Sequence, residues 1–382
     1  MKAVSSVSVK YLVRTAFLIL LAGFIFLSCG QDPIFYQISN EPEAKDPLIA
    51  GNPTNIVVSG TSLFAAARQG KKVYCYTGDR WQHHSTPGGA IGELASDGTD
   101  LYALIFPNRE PLKASKIMKY GASGWQDVPK DSSAEAYSIQ TIYGAEGEVF
   151  AGASIGGAYS ILHIDAGTLI EIKTGTSMLK GVAYDGTADH YLATMGSGIY
   201  KFTSGAINAA PETGTEGANM VGILNTGGNI VAVSSDGSVY SRSAGTFTAI
   251  QSAGPNFTGA MSIWNQYDSV GDSWAPALLL LGIRGSGSSL THGYREMTLT
   301  AGIPEVGIRS PGDSSPTSIA NKSKYTASLG KHPVEAIIQV PQIIPIYPAD
   351  MTTNPSWMPP IFASTAKNGL WSYRNGVWNA EE

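Results

Sequence analysis

The chain has 382 residues with 44 Gly, 21 Pro and 18 Tyr, a formal net charge of −5, and only 14% charged residues where about 25% is usual. That balance excludes a coiled coil, a long-helix protein and a charged disordered tail. Abundant glycine beside β-branched and aromatic residues predicts many short strands joined by tight turns, and all-β barrels and propellers of this length form single units.

Residues 1–28 read as an export signal. Lys2, Lys10 and Arg14 precede an apolar run from Thr15 to Leu27, which as a helix rises about 20 Å, short of a hydrocarbon core of about 30 Å. The run stops at Phe26-Leu27-Ser28-Cys29-Gly30. This resembles the lipobox of bacterial lipoproteins, and Phe26 in place of the usual Leu or Val resembles the looser spirochaete form. The resemblance implies signal cleavage before Cys29, a diacylglyceryl thioether on Cys29 and usually an amide-linked acyl chain. Two or more chains anchor stably, so it also implies an ectodomain tethered to the outer or inner membrane of the cell envelope. The alternative is an ordinary secretory signal that contains a cysteine.

Without residues 1–28 the chain holds 22 basic against 30 acidic residues, a net of −8. A net acidic body without Lys/Arg clusters argues against nucleic acid as a partner. Residues 29–52 mix Pro, Asp, Glu and Asn and read as a tether. Cys75, in Val73-Tyr74-Cys75-Tyr76, reads as a small strand residue rather than a reactive thiol, since no His or cation flanks it closely. With Cys29 acylated it has no partner in the chain, so burial and strand pairing must hold the fold.

From residue 53 to 382 the dominant feature is a repeat of about forty residues. One piece is two large apolar residues and Ala: Leu63-Phe64-Ala65, Leu101-Tyr102-Ala103, Val149-Phe150-Ala151, Tyr191-Leu192-Ala193, Ile230-Val231-Ala232 and Ile361-Phe362-Ala363. The second pairs large residues five apart: Tyr76 with Trp81, Tyr120 with Trp125, Ile164 with Leu169, Phe202 with Ile207, Tyr294 with Leu299, Tyr373 with Trp378, and in the fifth unit Arg242 with Phe247. Gly167, Gly205, Gly245 and Gly376 stand two places before the second member, where a short hairpin needs positive φ. Each unit therefore reads as four antiparallel strands, a to d, the signature of a β-propeller blade. The fragment from Gly369 to Trp378 resembles the end of a kelch or two-component-regulator propeller repeat.

The predicted fold is all-β, a propeller of about seven four-stranded blades near 53–88, 89–132, 136–176, 177–212, 217–254, 258–330 and 331–382. Lys324 to Leu329 is read as a delayed d strand of the sixth blade and Ala336 to Val340 as the next a strand. An eighth blade around Tyr325-Thr326-Ala327 is the alternative. Seven prolines between His332 and Pro360 predict an extended loop arching over one face.

No catalytic signature stands out. Sialidase-like boxes lack a match in Ser235-Asp236-Gly237-Ser238, and Asp97, Asp185 and Asp236 before Gly read as turn residues. The six histidines show no metal-ligand spacing, so no metal and no cofactor are expected. Trp81, Trp125 and Trp378 recur in register and read as packing between blades. The expectation is a monomeric, membrane-tethered binding module for a protein or glycan. By blade convention the b–c loops share a face with the blade-to-blade connections, which nominates Arg68, Arg109, Glu110, Arg284 and Lys367. Tyr347 and Trp357 are expected to overhang a face. The alternatives are an envelope assembly factor, by fold analogy, and a glycan or lactone hydrolase, which would need inward carboxylates on a strands that Val57, Val58, Ile91, Ile142, Val182 and Ile223 make mostly apolar.

Overall fold

The computed structural model describes residues 49–106, 115–252, 254–269, 272–285, 292–311, 328–347, 357–374 and 377–381. The signal segment, Cys29 and most of the tether fall outside them, as do Arg109 and Glu110. Among the described residues no helix is long and apolar enough to cross a membrane.

The described chain forms seven four-stranded antiparallel sheets, each running in sequence order from strand a to strand d. The a strands are Val57–Ser59, Ala90–Ser96, Ser138–Ala145, Leu179–Tyr184, Met220–Asn225, Phe257–Asp268 and Val334–Gln339, and all seven border one axial channel. Blade seven comes wholly from the end of the chain, so the ring closes by packing between blades seven and one. Phe362 meets Tyr76 and Trp81 edge-on across this seam, at 4.9 and 5.1 Å. Ser364 Oγ donates to Thr54 O, Gly369 N to Gly51 O, and Arg374 Nη1 to Asp79 O. Ile49 is buried in the same core, so the propeller takes in residues of the segment read as tether from Ile49 onward.

The repeat motifs have direct structural counterparts. The six motif alanines, Ala65, Ala103, Ala151, Ala193, Ala232 and Ala363, are all fully buried on b strands. Residues five apart face each other across the c–d hairpin in six blades: Tyr76 and Trp81, Tyr120 and Trp125, Ile164 and Leu169, Phe202 and Ile207, Arg242 and Phe247, Tyr373 and Trp378. Trp81 and Trp378 fill clefts between blades, the latter against Tyr294 of blade six at 5.8 Å. Trp125 donates its indole N–H to Ser85 Oγ of blade one.

Blade six departs from expectation. Tyr294 and Leu299 lie on one strand, Gly293–Thr300, and the facing pair is Leu299 with Pro304. Its d strand is the two-residue Ile303–Pro304, reached through a tight turn at Ala301-Gly302, while Leu329 opens a short 3₁₀ turn, Leu329–Lys331, instead of ending a delayed strand. The rest of that segment and Tyr325-Thr326-Ala327 lie outside the described residues. Of the proline-rich stretch, residues 348–356 lie outside the described residues, and its first part is strand and core. Val334–Gln339 is the a strand of blade seven, and beyond it Val340 and Ile344 are buried in the seam core with Phe362 and Leu370.

Candidate functional site

Each a strand is the inner edge of its sheet, and together they enclose a channel of about 540 Å³. All seven carry extra chain where they enter the sheet. Gly92, Gln140, Lys180, Val221 and Glu335 are skipped between successive pairs. Blade one takes four steps from Pro53 to Val57 against three from Ala67 to Phe64, and blade six takes four from Phe257 to Met261 against two. A bulge bends the strand and re-aims its side chains. Here it puts charge at the mouth of a channel whose neighbouring strand residues are apolar, because Lys180 and Glu335 are themselves extra residues and Glu93 follows one.

This mouth lies on the face of the b–c connections, and two nominated arginines come to it. Arg68 follows Ala67 and Arg284 follows Ile283, the b residues paired just before the bulge in blades one and six. Their backbones are pinned alike: Arg68 N donates to Asn52 O at 2.8 Å and Arg284 N to Asn256 O at 2.9 Å. Each guanidinium then crosses to the a strand of the following blade, Arg68 to Glu93 and Arg284 to Glu335. Glu93 also accepts from Asn55 N at 3.2 Å. Side-chain exposure is 36% for Arg68 against 8% for Glu93, and 59% for Arg284 against 24% for Glu335. The arginines are thus presented and the acids hold them.

Electrostatics ties this cluster together. Burial pushes the Glu93 carboxyl above the usual carboxylate range, against the pull of the Arg68 guanidinium. Burial also lowers the Lys180 ammonium, with Glu335 and then Glu93 opposing it, and raises the Tyr143 hydroxyl, with Glu93 adding to the effect. Lys180 and Tyr143 both line the channel. Among the described residues no group of three His, Cys, Asp or Glu is placed to hold a metal.

The other nominated residues divide between the two faces. Lys367 is exposed at the b–c turn of blade seven with φ 75°, on the same face as the arginines. Tyr347 belongs to the a–b connection of blade seven and Trp357 closes it, so both are on the opposite face. There they pack with Trp274 of the long blade-six hairpin: Trp274–Tyr347 at 5.5 Å, Trp274–Trp357 at 6.2 Å and Tyr347–Trp357 at 5.0 Å. The Tyr347 hydroxyl donates to Val340 O. These aromatics and the arginines therefore do not form one site.

Other polar residues have local duties. Asp97 accepts from the N–H groups of Thr99 and Asp100 and from the Tyr102 hydroxyl. Asp236 is held below the usual carboxylate range by the Ser234 hydroxyl and the Ser238 N–H. Cys75 is half-buried, and burial pushes its thiol up, away from the reactive thiolate.

Fold and mouth together define a seven-bladed β-propeller with a charged opening on its axis. No protein-family model matches the chain, and no curated protein matches it. Solved structures do. The WD40 β-propeller domain of Doa1 matches 87% of this chain and 95% of its own at 10% identity, with a TM-score of 0.51. A candidate gluconolactonase matches 70% of this chain and 94% of its own at 13% identity, with a TM-score of 0.40. At such identities likeness shows the fold, and propellers host many unrelated functions. The second match is too loose to bear on chemistry.

Proposed function

We propose that this chain is a lipid-tethered binding propeller of the cell envelope, anchored through Cys29, which engages a protein or glycan partner at the channel mouth and catalyses nothing. The observation that carries this reading is the pair of equivalent arginines, Arg68 and Arg284, fixed at matching backbone positions and held over the opening by Glu93 and Glu335. Lys367 extends the same face. Rigid blades that present preorganised arginines suit recognition, because little side-chain freedom is lost on binding.

The test uses the full-length protein in its own cells. Crosslinking should capture a defined partner with the wild type, and Arg68→Ala combined with Arg284→Ala should reduce capture at least about tenfold, the loss of two charge-assisted contacts. Capture undiminished in that variant would remove the mouth from the reading. Cys29→Ser should move the protein from the membrane to the soluble fraction, and a variant that stays membrane-bound would remove the lipid anchor.

One observation favours a second reading. Glu93 and Glu335 put two carboxylates on inner strands, as the hydrolase alternative requires. Glu93 is engaged at both oxygens, by Arg68 and the Asn55 N–H, and Glu335 at one, by Arg284, so Glu335 is the carboxylate this reading would use. Hydrolysis of lactones or glycosides by the full-length protein, resistant to chelators and lost in Glu335→Gln, would reverse the order of the two readings.

A further inference from the structure

Among the described residues, the Lys180 ammonium and the Tyr143 hydroxyl are donors in the channel without acceptors. Lys180 is the extra residue of the blade-four inner strand and lines the channel, yet its ammonium forms no ion pair among the described residues. The Tyr143 hydroxyl of blade three lines the same space and likewise has no hydrogen-bond partner there. Of the other polar residues at the bulges, Asn55 also lines the channel without a side-chain hydrogen bond among the described residues, and the rest are committed. Gln140 donates to Ser154 Oγ, Thr258 to Val334 O, and Glu93 and Glu335 are taken by Arg68 and Arg284. Arg68 and Arg284 are balanced by Glu93 and Glu335, and Lys180, which both acids act on without an ion pair, leaves this cluster one net positive charge.

We infer that the channel is a binding site for a small monocarboxylate, whose carboxylate is received by the Lys180 ammonium and the Tyr143 hydroxyl. The volume, about 540 Å³, falls within the range of about 300–1,000 Å³ common for small-molecule sites. A single negative charge matches the net charge of the mouth. A dianion such as phosphate would bring a second charge against Glu93 and Glu335, both close enough to act on Lys180. The body of the ligand would lie between aliphatic side chains such as Val182, Ile223 and Ile337 and the strand edges beside them. Edge strands leave backbone N–H and C=O groups unpaired, and these suit a hydroxylated body as well as an aliphatic one. The burial that lowers the Lys180 ammonium is the desolvation that an incoming carboxylate would offset.

The inference deepens the proposed binding role and can fail separately from it. The experiment titrates full-length protein in detergent with hexanoate and with glucuronate, each against its methyl ester as the uncharged control, and follows heat or side-chain NMR shifts. We expect one molecule of at least one acid to bind per chain while its ester does not. Lys180→Met, which keeps the length and drops the charge, should weaken binding about tenfold or more, as expected for one lost charge-assisted hydrogen bond. Tyr143→Phe should weaken it about threefold. A hexapeptide with a free C-terminus, compared with its amide, separates the sources: preference for the free peptide over both small acids assigns the site to a partner's chain end.

Acid and ester binding alike, or Lys180→Met binding as the wild type does, overturns the inference. Failure of every carboxylate also overturns it, while capture that still depends on Arg68 and Arg284 leaves the proposed function standing. Unchanged thermal melting of both variants secures the comparison against misfolding.

Discussion

Glu93 keeps 8% of its side-chain surface in contact with water, and burial there outweighs the pull of Arg68 and the Asn55 N–H, leaving the carboxyl above the usual range. The consequence for stability has a definite sign. A carboxyl whose folded pKa lies above its unfolded value near 4.5 takes up a proton on folding. Its contribution is therefore fully present below the unfolded pKa and is lost as pH rises through the folded one. Other carboxylates act the opposite way on acidification, so the measurement is a difference. Thermal melts of the wild type and Glu93→Gln between pH 7.5 and 4.5 should show the wild type gaining on the variant as pH falls, because the amide cannot titrate. A difference flat in pH would mean that Arg68 fully compensates the burial.

At the scale of the strand and hairpin, the c–d turns of blades three to six repeat one geometry. Ala166-Gly167, Ser204-Gly205, Ala244-Gly245 and Ala301-Gly302 each pair a non-glycine residue near φ 50° with a glycine near φ 80°. Two successive positive φ values make the primed turn that suits the twist of a two-residue hairpin, and Asn is favoured at its first position. Alanine there sits in the left-handed region at a cost of roughly 1–2 kcal/mol. Ala244→Asn and Ala301→Asn should each raise stability by about 0.5 kcal/mol in denaturant melts, and destabilisation by either would contradict the turn assignment. The glycines of the inner strands answer a different need. A Cβ on Gly144 would lie 1.9 Å from Ser96 O of the preceding blade, so adjacent inner strands meet there at a distance only glycine allows.

The same elements show what the residue order makes legible. Large residues five apart reveal the hairpins because they face each other across a two-residue turn, and the small b-strand residue reveals the sheet packing. The blade-six hairpin is harder to see because its c strand runs on to Thr300, so two large residues five apart, Tyr294 and Leu299, fall on one strand, and the residue that faces Leu299 is Pro304. The charged mouth is obscured for a related reason. A bulge adds one residue without disturbing the apolar pattern on either side, so Glu93, Lys180 and Glu335 look like isolated polar residues in apolar strands. Aligning the inner strands as Ile91-Gly92-Glu93, Leu179-Lys180-Gly181 and Val334-Glu335-Ala336 would have gathered them at one level. Arg68 and Arg284 are recoverable from the b–c loops, but their likeness emerges only from the shared backbone bond to the residue before the first a–b pairing, Asn52 before Pro53 and Asn256 before Phe257.

For the whole molecule, the boundary between blades seven and one is the only one that no peptide connection crosses. It rests on Phe362 against Tyr76 and Trp81, the buried Ile49, Val340 and Ile344, and a few hydrogen bonds. Phe362→Ala should cost about 3–5 kcal/mol, as for a buried aromatic. Amide exchange should then accelerate first in the strands of blades one and seven, whereas Phe150→Ala, at the blade three–four boundary, should lack that pattern. Equal exchange from all blades in Phe362→Ala would show that the seam is no weaker than the rest.

That seam also makes the order of the blades along the gene arbitrary. Gly51, near the start of the packed chain, bonds to Gly369, and Glu381, at its end, bonds to the adjacent Leu370. A short linker could therefore join the two ends, and a new opening at the exposed Asp185-Gly186 turn would give a circularly permuted chain with every sheet intact. In such a chain the free ends would move from beside blade one to the fourth blade, so any group joined to them could be turned relative to the mouth without altering a single contact there.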